Sequence, residues 1–450
     1  MRFRKLVIRN FVSPYGLAMI SYAFFLFACL VPPSVYSHFM MEPDLMFLDP
    51  ATMLFYTLCV GSFLAGAWLV SWLYPATFVV RKFRTRISPT RFLLAPLTLA
   101  VAAATLTSLY LITEYPIIML SLLTQQGEEA KEIIAFEVNG HFAFVPLILM
   151  GITWWALWRY SELDFKGWRR RLVSFFLFLA VASVIVLSII TMGRNTLMLG
   201  LGGPAILYVF SRTVRKQADF KFIFRSGIVA AIFISLLFFV FSFMRGTDSW
   251  DGQVNQLIGY TAASYNRLAA VVNGDLRYPF AGHGLYLSSV VTRSRFLLGD
   301  VLNAPDVRDA WASEFGAVSR VGLDGRLIWS GAFGYIFAEL GWFSFPFVFG
   351  YGMLYGVGWN WIKRGKVLGI VLYPCFGFCA LFWVGSNYLL EAPTEILSIV
   401  AIILTGYELV FVRAASASSL LHQRIVEDAD STIVLHPRPY TPATRKLESQ

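Results

Sequence analysis

A small set of residue types in this chain is suited to binding a charged diphosphate and to handling a hydroxyl proton. Arg194 stands in the turn TMGRNT between two apolar stretches, where a guanidinium either snorkels to lipid headgroups or grips a phosphate. Arg245, in FMRGTD directly after another apolar stretch, reads as a boundary anchor or as a second phosphate ligand. Arg267 lies in GYTAASYNRLAAVVNG, a segment expected to form a short helix. On it, Tyr260, Tyr265 and Arg267 line a glycan or diphosphate site, or else form a solvated face. Arginine fits such a site because its planar, permanently charged fork binds phosphate bidentately. His283, between glycines in RYPFAGHGLY, offers an acid, a base or a hydrogen-bond donor to a leaving diphosphate, unless it serves only as a structural hydrogen-bonder. Glu339 in GAFGYIFAELGW sits about two turns into an apolar stretch, a depth at which a carboxylate needs protein or water around it. It is either a functional group or the partner of an arginine. Glu391 and Glu395, near the start of the last apolar stretch, pose the same question more weakly.

The elements that must position these residues follow from composition. The chain has 450 residues, 57% apolar and only 14% charged, against about 25% charged in soluble domains. With a mean hydropathy of +0.63, an ordinary soluble domain is excluded and a polytopic membrane protein is expected. Apolar windows long enough to cross about 30 Å of hydrocarbon fall near 14–32, 51–73, 91–113, 141–158, 172–191, 196–211, 225–244, 332–360, 367–387 and 395–412, predicting ten spans in an all-α protein. Gly350, Gly352, Gly356 and Gly358 within one of them are expected to let helices pack closely.

Orientation follows from Lys and Arg. Alternate connections carry clusters such as Arg81, Lys82, Arg84 and Arg86, or Lys166, Arg169, Arg170 and Arg171, whereas the short connections on the other side hold only Lys131 and Arg194. The positive-inside rule then places both termini in the cytoplasm. The net charge of +10 is accounted for by orientation and by contact with anionic membrane lipid, with no nucleic-acid partner. The chain thus divides into a cytoplasmic N-terminus 1–13, spans 1 to 7 over 14–244, an outer loop 245–331, spans 8 to 10 over 332–412, and a cytoplasmic tail 413–450. The outer loop has 87 residues with eight Arg, no Lys and eight acidic side chains, and its aromatic content predicts a folded segment lying over the membrane. Residues 114–140 form a second outer connection with a short interfacial helix, and the Ser-rich tail is expected to be disordered.

Soluble-enzyme signatures are missing: there is no GxxxxGK[ST], no HExxH and no GxSxG, and the single DxD, Asp428 with Asp430, lies in the tail. Cys29, Cys59, Cys375 and Cys379 all fall in apolar stretches and read as packing groups, with neither a disulfide framework nor a metal cluster implied.

The arrangement resembles the Wzy-type oligosaccharide repeat-unit polymerases of bacteria, which make O-antigen and exopolysaccharide, over most of residues 15–412. The similarity rests on MGRN in a tight outer turn, one large outer loop with YNR followed by PFAGHG, and the helix beginning GYIFAELGWFSFPFVFGYG. Arg320, with Gly331 following across ten intervening residues, matches a further spacing common in that family. The related O-antigen ligases share the plan. The resemblance implies a GT-C-like glycosyltransferase of the bacterial inner membrane whose site opens to the periplasm and whose donor and acceptor are lipid-linked oligosaccharides. A repeat unit on undecaprenyl diphosphate would be attacked by a hydroxyl of the second substrate, releasing the lipid diphosphate. No cofactor or metal is implied; Arg194, Arg245, Arg267 and Arg320 would bind the diphosphate, and Glu339 or His283 would orient or deprotonate the hydroxyl. A chain-length regulator and a flippase are the implied partners. Two other readings stay open. A glycan flippase or transporter would place charges along a central path through several helices. A metal-dependent transferase using lipid-monophosphate sugars would use an acidic pair in the first outer connection, where Glu42-Pro43-Asp44 stands.

Overall fold

A computed structural model of the chain describes residues 11–78, 84–124, 133, 142, 144–191, 193–214, 219–244, 249–259, 261–287, 307–385 and 387–412. Among the described residues the regular structure is helical, and the only β feature is an isolated bridge between Thr85 and Val412.

Several helices begin on one local signal, a short polar residue followed by proline. Ser13 precedes α1 (Pro14–Cys29), which is followed by α2 (Pro33–Met40) at a bend of 91°. Asp49 caps α3 (Pro50–Leu73), its carboxylate accepting the Thr52 N–H at 2.9 Å, and Ser88 caps α4 (Pro89–Glu114) through the Arg91 N–H at 3.3 Å. In each case the side chain satisfies an orphan N–H, while proline supplies a pre-set φ where no N–H is needed. There follow α5 (Pro116–Leu123), α6 (Phe144–Glu162), α7 (Trp168–Ile190), α8 (Arg194–Val214) and α9 (Phe220–Met244). The 245–331 loop contributes α10 (Trp250–Gly259), α11 (Ala262–Val272) and α12 (Val307–Arg320). The chain then forms α13 (Gly331–Leu340), a 3-10 turn at Gly341–Phe343, α14 (Ser344–Lys363), α15 (Val367–Leu381) and α16 (Ala392–Phe411).

Among the described residues five segments are long and apolar enough to cross a membrane: α3, α4, α7, the run Gly331–Lys363 and α16, or six if the bent pair α1–α2 counts as one span. The remaining expected windows are occupied by α6, α8, α9 and α15. The window at 332–360 is interrupted at Gly341, whose φ of 54° breaks the helix directly after Glu339 and Leu340.

The tightest helix pair is α3 with α14, which run side by side in the same direction. A Cβ on Gly352 would fall on the Phe63 carbonyl oxygen, and one on Gly66 would fall on that of Phe349, so the two backbones touch. Gly356 lies 2.9 Å, measured from its would-be Cβ, from the Val70 side chain, and Gly358 meets the Phe376 ring of α15; Gly350 faces open space. Small residues thus do what close helix approach requires at three of the four expected positions.

Segments from distant parts of the chain gather at the two ends of this bundle. At one end the 41–49 connection meets α11 and residues 323–330. At the other, Asn360 donates to the Tyr74 carbonyl at 2.8 Å and Arg86 N–H donates to the Phe411 carbonyl at 2.7 Å. Here Arg159 is buried at 3% exposure. Its guanidinium meets Glu162 at 2.5 Å and Glu408 at 2.6 Å, and it donates to the Gly365 carbonyl at 3.1 Å. Trp155 and Trp158 donate their indole N–H groups to the same two carboxylates, at 2.6 and 2.9 Å. This end is rich in exposed basic residues, among them Lys166, Arg169, Arg170, Arg171 and Lys366.

Candidate functional site

The end opposite that basic face is organised by two carboxylates. The first is Glu42, in the connection between α2 and α3. Arg267 on α11 reaches it with two N–H groups, each 2.7 Å from a different carboxylate oxygen. The remaining guanidinium donors go to carbonyls: Ala263 at 3.0 Å, Asp324 at 2.9 Å, and Leu327. On the Glu42 side, one oxygen also accepts from the Tyr36 hydroxyl and from the Asn266 amide at 3.2 Å, and the other accepts the Asp324 N–H at 2.7 Å. Asn266 extends the latch, accepting the Leu45 N–H at 2.6 Å and donating to the Pro43 carbonyl at 2.9 Å. Burial alone would raise the Glu42 carboxyl, but the Arg267 guanidinium, the Asp324 amide and the Tyr36 hydroxyl outweigh it and hold the group below the usual carboxylate range.

This arrangement corrects the expectation that Arg267 binds a diphosphate. A guanidinium has five N–H donors, and all five are engaged within the protein at 0% side-chain exposure, so none is left for a ligand. Tyr265, its neighbour two positions back, is likewise no glycan platform. It is 1% exposed, with its ring 5.8 Å from Tyr56 and 5.2 Å from Phe25 inside the helical core. Nor do Glu42 and Asp44 form an open acidic pair, because both Glu42 oxygens are taken within the protein; Asp44 accepts the Met46 and Phe47 N–H groups on Oδ1 at 2.9 and 3.0 Å, while its Oδ2 is buried with no hydrogen-bond partner among the described residues.

The second carboxylate is Glu339, near the end of α13. Its oxygens accept three main-chain N–H groups from one turn of the long loop: Gly282 at 2.7 Å, Gly284 at 2.8 Å and Tyr286 at 2.8 Å. The turn closes on the carboxylate because Gly282 and Gly284 adopt φ of 90° and 78°, a left-handed conformation open to glycine at little cost. His283 stands between them, its side chain exposed and with no hydrogen-bond partner among the described residues. Glu339 and His283, picked out separately from the sequence, are therefore parts of one device. Three of the four lone-pair directions of the Glu339 carboxylate are taken by N–H groups, which makes it the holder of the turn that presents the imidazole.

Behind this turn, Tyr278, Tyr286 and Tyr335 cluster with ring centroids 5.3 to 5.4 Å apart, Tyr286 stacked on Tyr335 and Tyr278 tilted against both, and Tyr278 donates to the Ile328 carbonyl at 2.5 Å. Burial and the neighbouring Glu314 carboxylate push the Tyr286 hydroxyl up. Asn387 donates to the Leu287 carbonyl at 3.3 Å and accepts from Tyr351 at 2.9 Å, tying the turn to α14 and to the segment before α16.

Other expected residues lie elsewhere. Arg194 opens α8, half-buried, with its guanidinium carbon 6.0 Å from the centroid of the Phe241 ring on α9. Arg320 is the exposed last residue of α12. Arg245 and Tyr260 fall outside the described residues. Glu391 is the N-cap position of α16 and Glu395 lies in its first turn, both half-buried.

The roles of Glu42 and Glu408 escaped the sequence reading. Glu42 carries no local sign of a partner far along the chain, whereas Glu408 offers a signal, as an acidic residue deep inside the last apolar window, far from Glu395 at its start. Comparison of the chain with protein-family profiles, with characterised proteins and with solved structures gives no match.

Proposed function

We propose that the protein is a membrane glycosyltransferase that joins lipid-linked oligosaccharide repeat units at the periplasmic face of a bacterial inner membrane. The observation that carries this reading is the exposed His283 imidazole on a turn pinned by Glu339, at the end of the bundle away from its basic face. The excess of Lys and Arg at the other end supports a cytoplasmic placement for that end, with both termini there. In this topology α6, α8, α9 and α15 supply the crossings that bring the number of spans to ten, in a GT-C-like arrangement.

In the proposed step a sugar hydroxyl of one lipid-linked unit attacks the anomeric carbon of the other. The carbon–oxygen bond to the diphosphate breaks, its electron pair leaves with the lipid diphosphate, and His283 takes the hydroxyl proton. Glu339 acts as a positioning residue. Arg194, Arg245 and Arg320 compensate the charge that grows on the leaving diphosphate, a role in which one lost donor typically costs about 10²–10³ in rate. No nucleotide enters the balance. A flippase delivering the donor and a chain-length regulator are the expected partners.

The test is incubation of the purified protein in liposomes with its cognate lipid-diphosphate repeat unit, with and without EDTA, reading product length on a gel. A ladder in both samples is expected, together with its loss in His283→Ala. No ladder from the active-folded protein, or a ladder unchanged in His283→Ala, would overturn the assignment. A ladder lost with EDTA would overturn the metal-free scheme.

A further inference from the structure

At the basic end of the bundle a cavity of about 390 Å³ opens between the first turns of α4 and α7, walled by Thr90, Asp164, Phe165, Lys166, Trp168 and Arg169. That volume lies within the usual range for small-ligand sites, about 300–1,000 Å³. Both helices are long and apolar enough to cross a membrane and both begin here, so the cavity sits at headgroup level whichever side of the bilayer it faces. Trp168, 67% exposed at the first residue of α7, occupies the position of an interfacial aromatic anchor.

The cavity is built from an ordered hairpin. Phe165 stacks on Tyr160 with centroids 5.4 Å apart, and the Tyr160 hydroxyl lies 2.8 Å from Ser174 and receives Arg170 Nε at 3.4 Å. Gly167, with φ of 57°, turns the chain so that Lys166 and Arg169 line the same cavity. Lys166, Arg169 and Asp164 face it with no hydrogen-bond or ion-pair partner for their charged groups among the described residues. Two cations against one carboxylate leave a single positive charge. That balance is cancelled by a phosphodiester with an uncharged, hydroxylated head, whereas a zwitterionic head, neutral overall, leaves the surplus charge standing.

We infer that this cavity binds the headgroup of an anionic glycerophospholipid of the phosphoglycerol type, with Lys166 and Arg169 on the phosphate and Asp164 accepting hydrogen bonds from the head's hydroxyls. The site is separate from the outer-face machinery and stands or falls independently of the proposed transferase activity.

Native mass spectrometry of the full-length protein released from micelles doped equally with phosphatidylglycerol and phosphatidylethanolamine tests this. Wild type should retain phosphatidylglycerol preferentially. The double variant Lys166→Gln, Arg169→Gln should lower its bound fraction by about five-fold per cation, the equivalent of about 1 kcal/mol each. Asp164→Asn, measured with phosphatidic acid as a third lipid in the same micelles, should keep lipid but lose the preference that wild type shows for phosphatidylglycerol over phosphatidic acid, and Arg171→Gln, whose residue lies outside the cavity wall, should behave as wild type. Unchanged retention in the double variant, or equal retention of both lipids by wild type, would overturn the assignment. So would displacement of the lipid by millimolar inorganic phosphate, which would mark a site for free phosphate.

Discussion

Arg267 and Glu42 stand 225 positions apart and face each other through two parallel contacts of 2.7 Å, at 0% and 1% side-chain exposure. Removing one partner of such a pair strands a buried charge, at a cost of about 3–5 kcal/mol. Arg267→Ala is therefore expected to lower the unfolding temperature in detergent sharply, and the double variant Arg267→Ala, Glu42→Gln to lower it less than Arg267→Ala and Glu42→Gln summed. If activity per folded molecule fell in Arg267→Lys while thermal stability held, the residue would be acting on substrate after all.

The same pair dictates a pH response. The folded-state carboxyl of Glu42 is lowered, so its stabilisation is complete above the unfolded value, about 4.3, and is lost as pH falls through the lower folded value. The unfolding temperature of wild type should hold from neutrality down to that range and then decline. Glu42→Gln should start lower and decline less, so that thermal scans of the two converge in acid; curves that stay parallel would refute the assignment.

His283 has an exposed side chain without a hydrogen bond among the described residues, and its replacement should be silent in stability. An exposed change of this kind stays within about 0.5 kcal/mol. If it takes the hydroxyl proton as proposed, its loss should lower turnover by about 10²–10⁴-fold. Polymer yield measured beside a melting curve separates the two quantities.

Glu339→Gln keeps the size of the side chain but removes the charge on which three N–H groups converge, and hydrogen bonds to charged groups contribute about 1.5–3 kcal/mol each. Faster amide exchange at Gly282, Gly284 and Tyr286, with turnover falling toward that of His283→Ala and little change in KM, is the expected pattern. Glu339→Asp, too short to reach all three, should fall between. Unaltered exchange at those amides would dismiss the positioning role.

Gly352→Ala and Gly66→Ala each place a methyl against a backbone carbonyl of the facing helix, whereas Gly350→Ala meets nothing within 4 Å. The first two should lose about 1–3 kcal/mol of stability by overpacking. The third should gain slightly, since alanine favours the helix. Equal effects at all three positions would contradict the α3–α14 contact.

The helices were legible in the sequence because apolar length and the Ser-Pro or Asp-Pro start are local signals, and the windows at 51–73 and 91–113 lie within one or two residues of α3 and α4. The break at Gly341 was hidden, since the residues on both sides of it are apolar. In the loop, His283 and Glu339 stood out by type, but their connection runs through main-chain N–H groups, which leave no side-chain signature beyond the two flanking glycines. Arg267 looked like a ligand-binding cation because nothing local neutralises it; its counter-charge comes from the opposite end of the sequence. Arg159 is buried by charges from two places in the chain, Glu162 one turn on and Glu408 in the last apolar window.

The contact of α3 with α14 also sets a clock on biosynthesis. Asn360 closes on the Tyr74 carbonyl across 286 positions, which a ribosome adding about 5–20 residues per second covers in about 15–60 s. For that interval the Gly66 face of α3 waits in the bilayer without its partner, covered by lipid or by a helix made earlier. Nascent chains arrested before residue 344 should therefore be the species most exposed to quality-control proteases, and the arrival of α14 the event that ends that vulnerability.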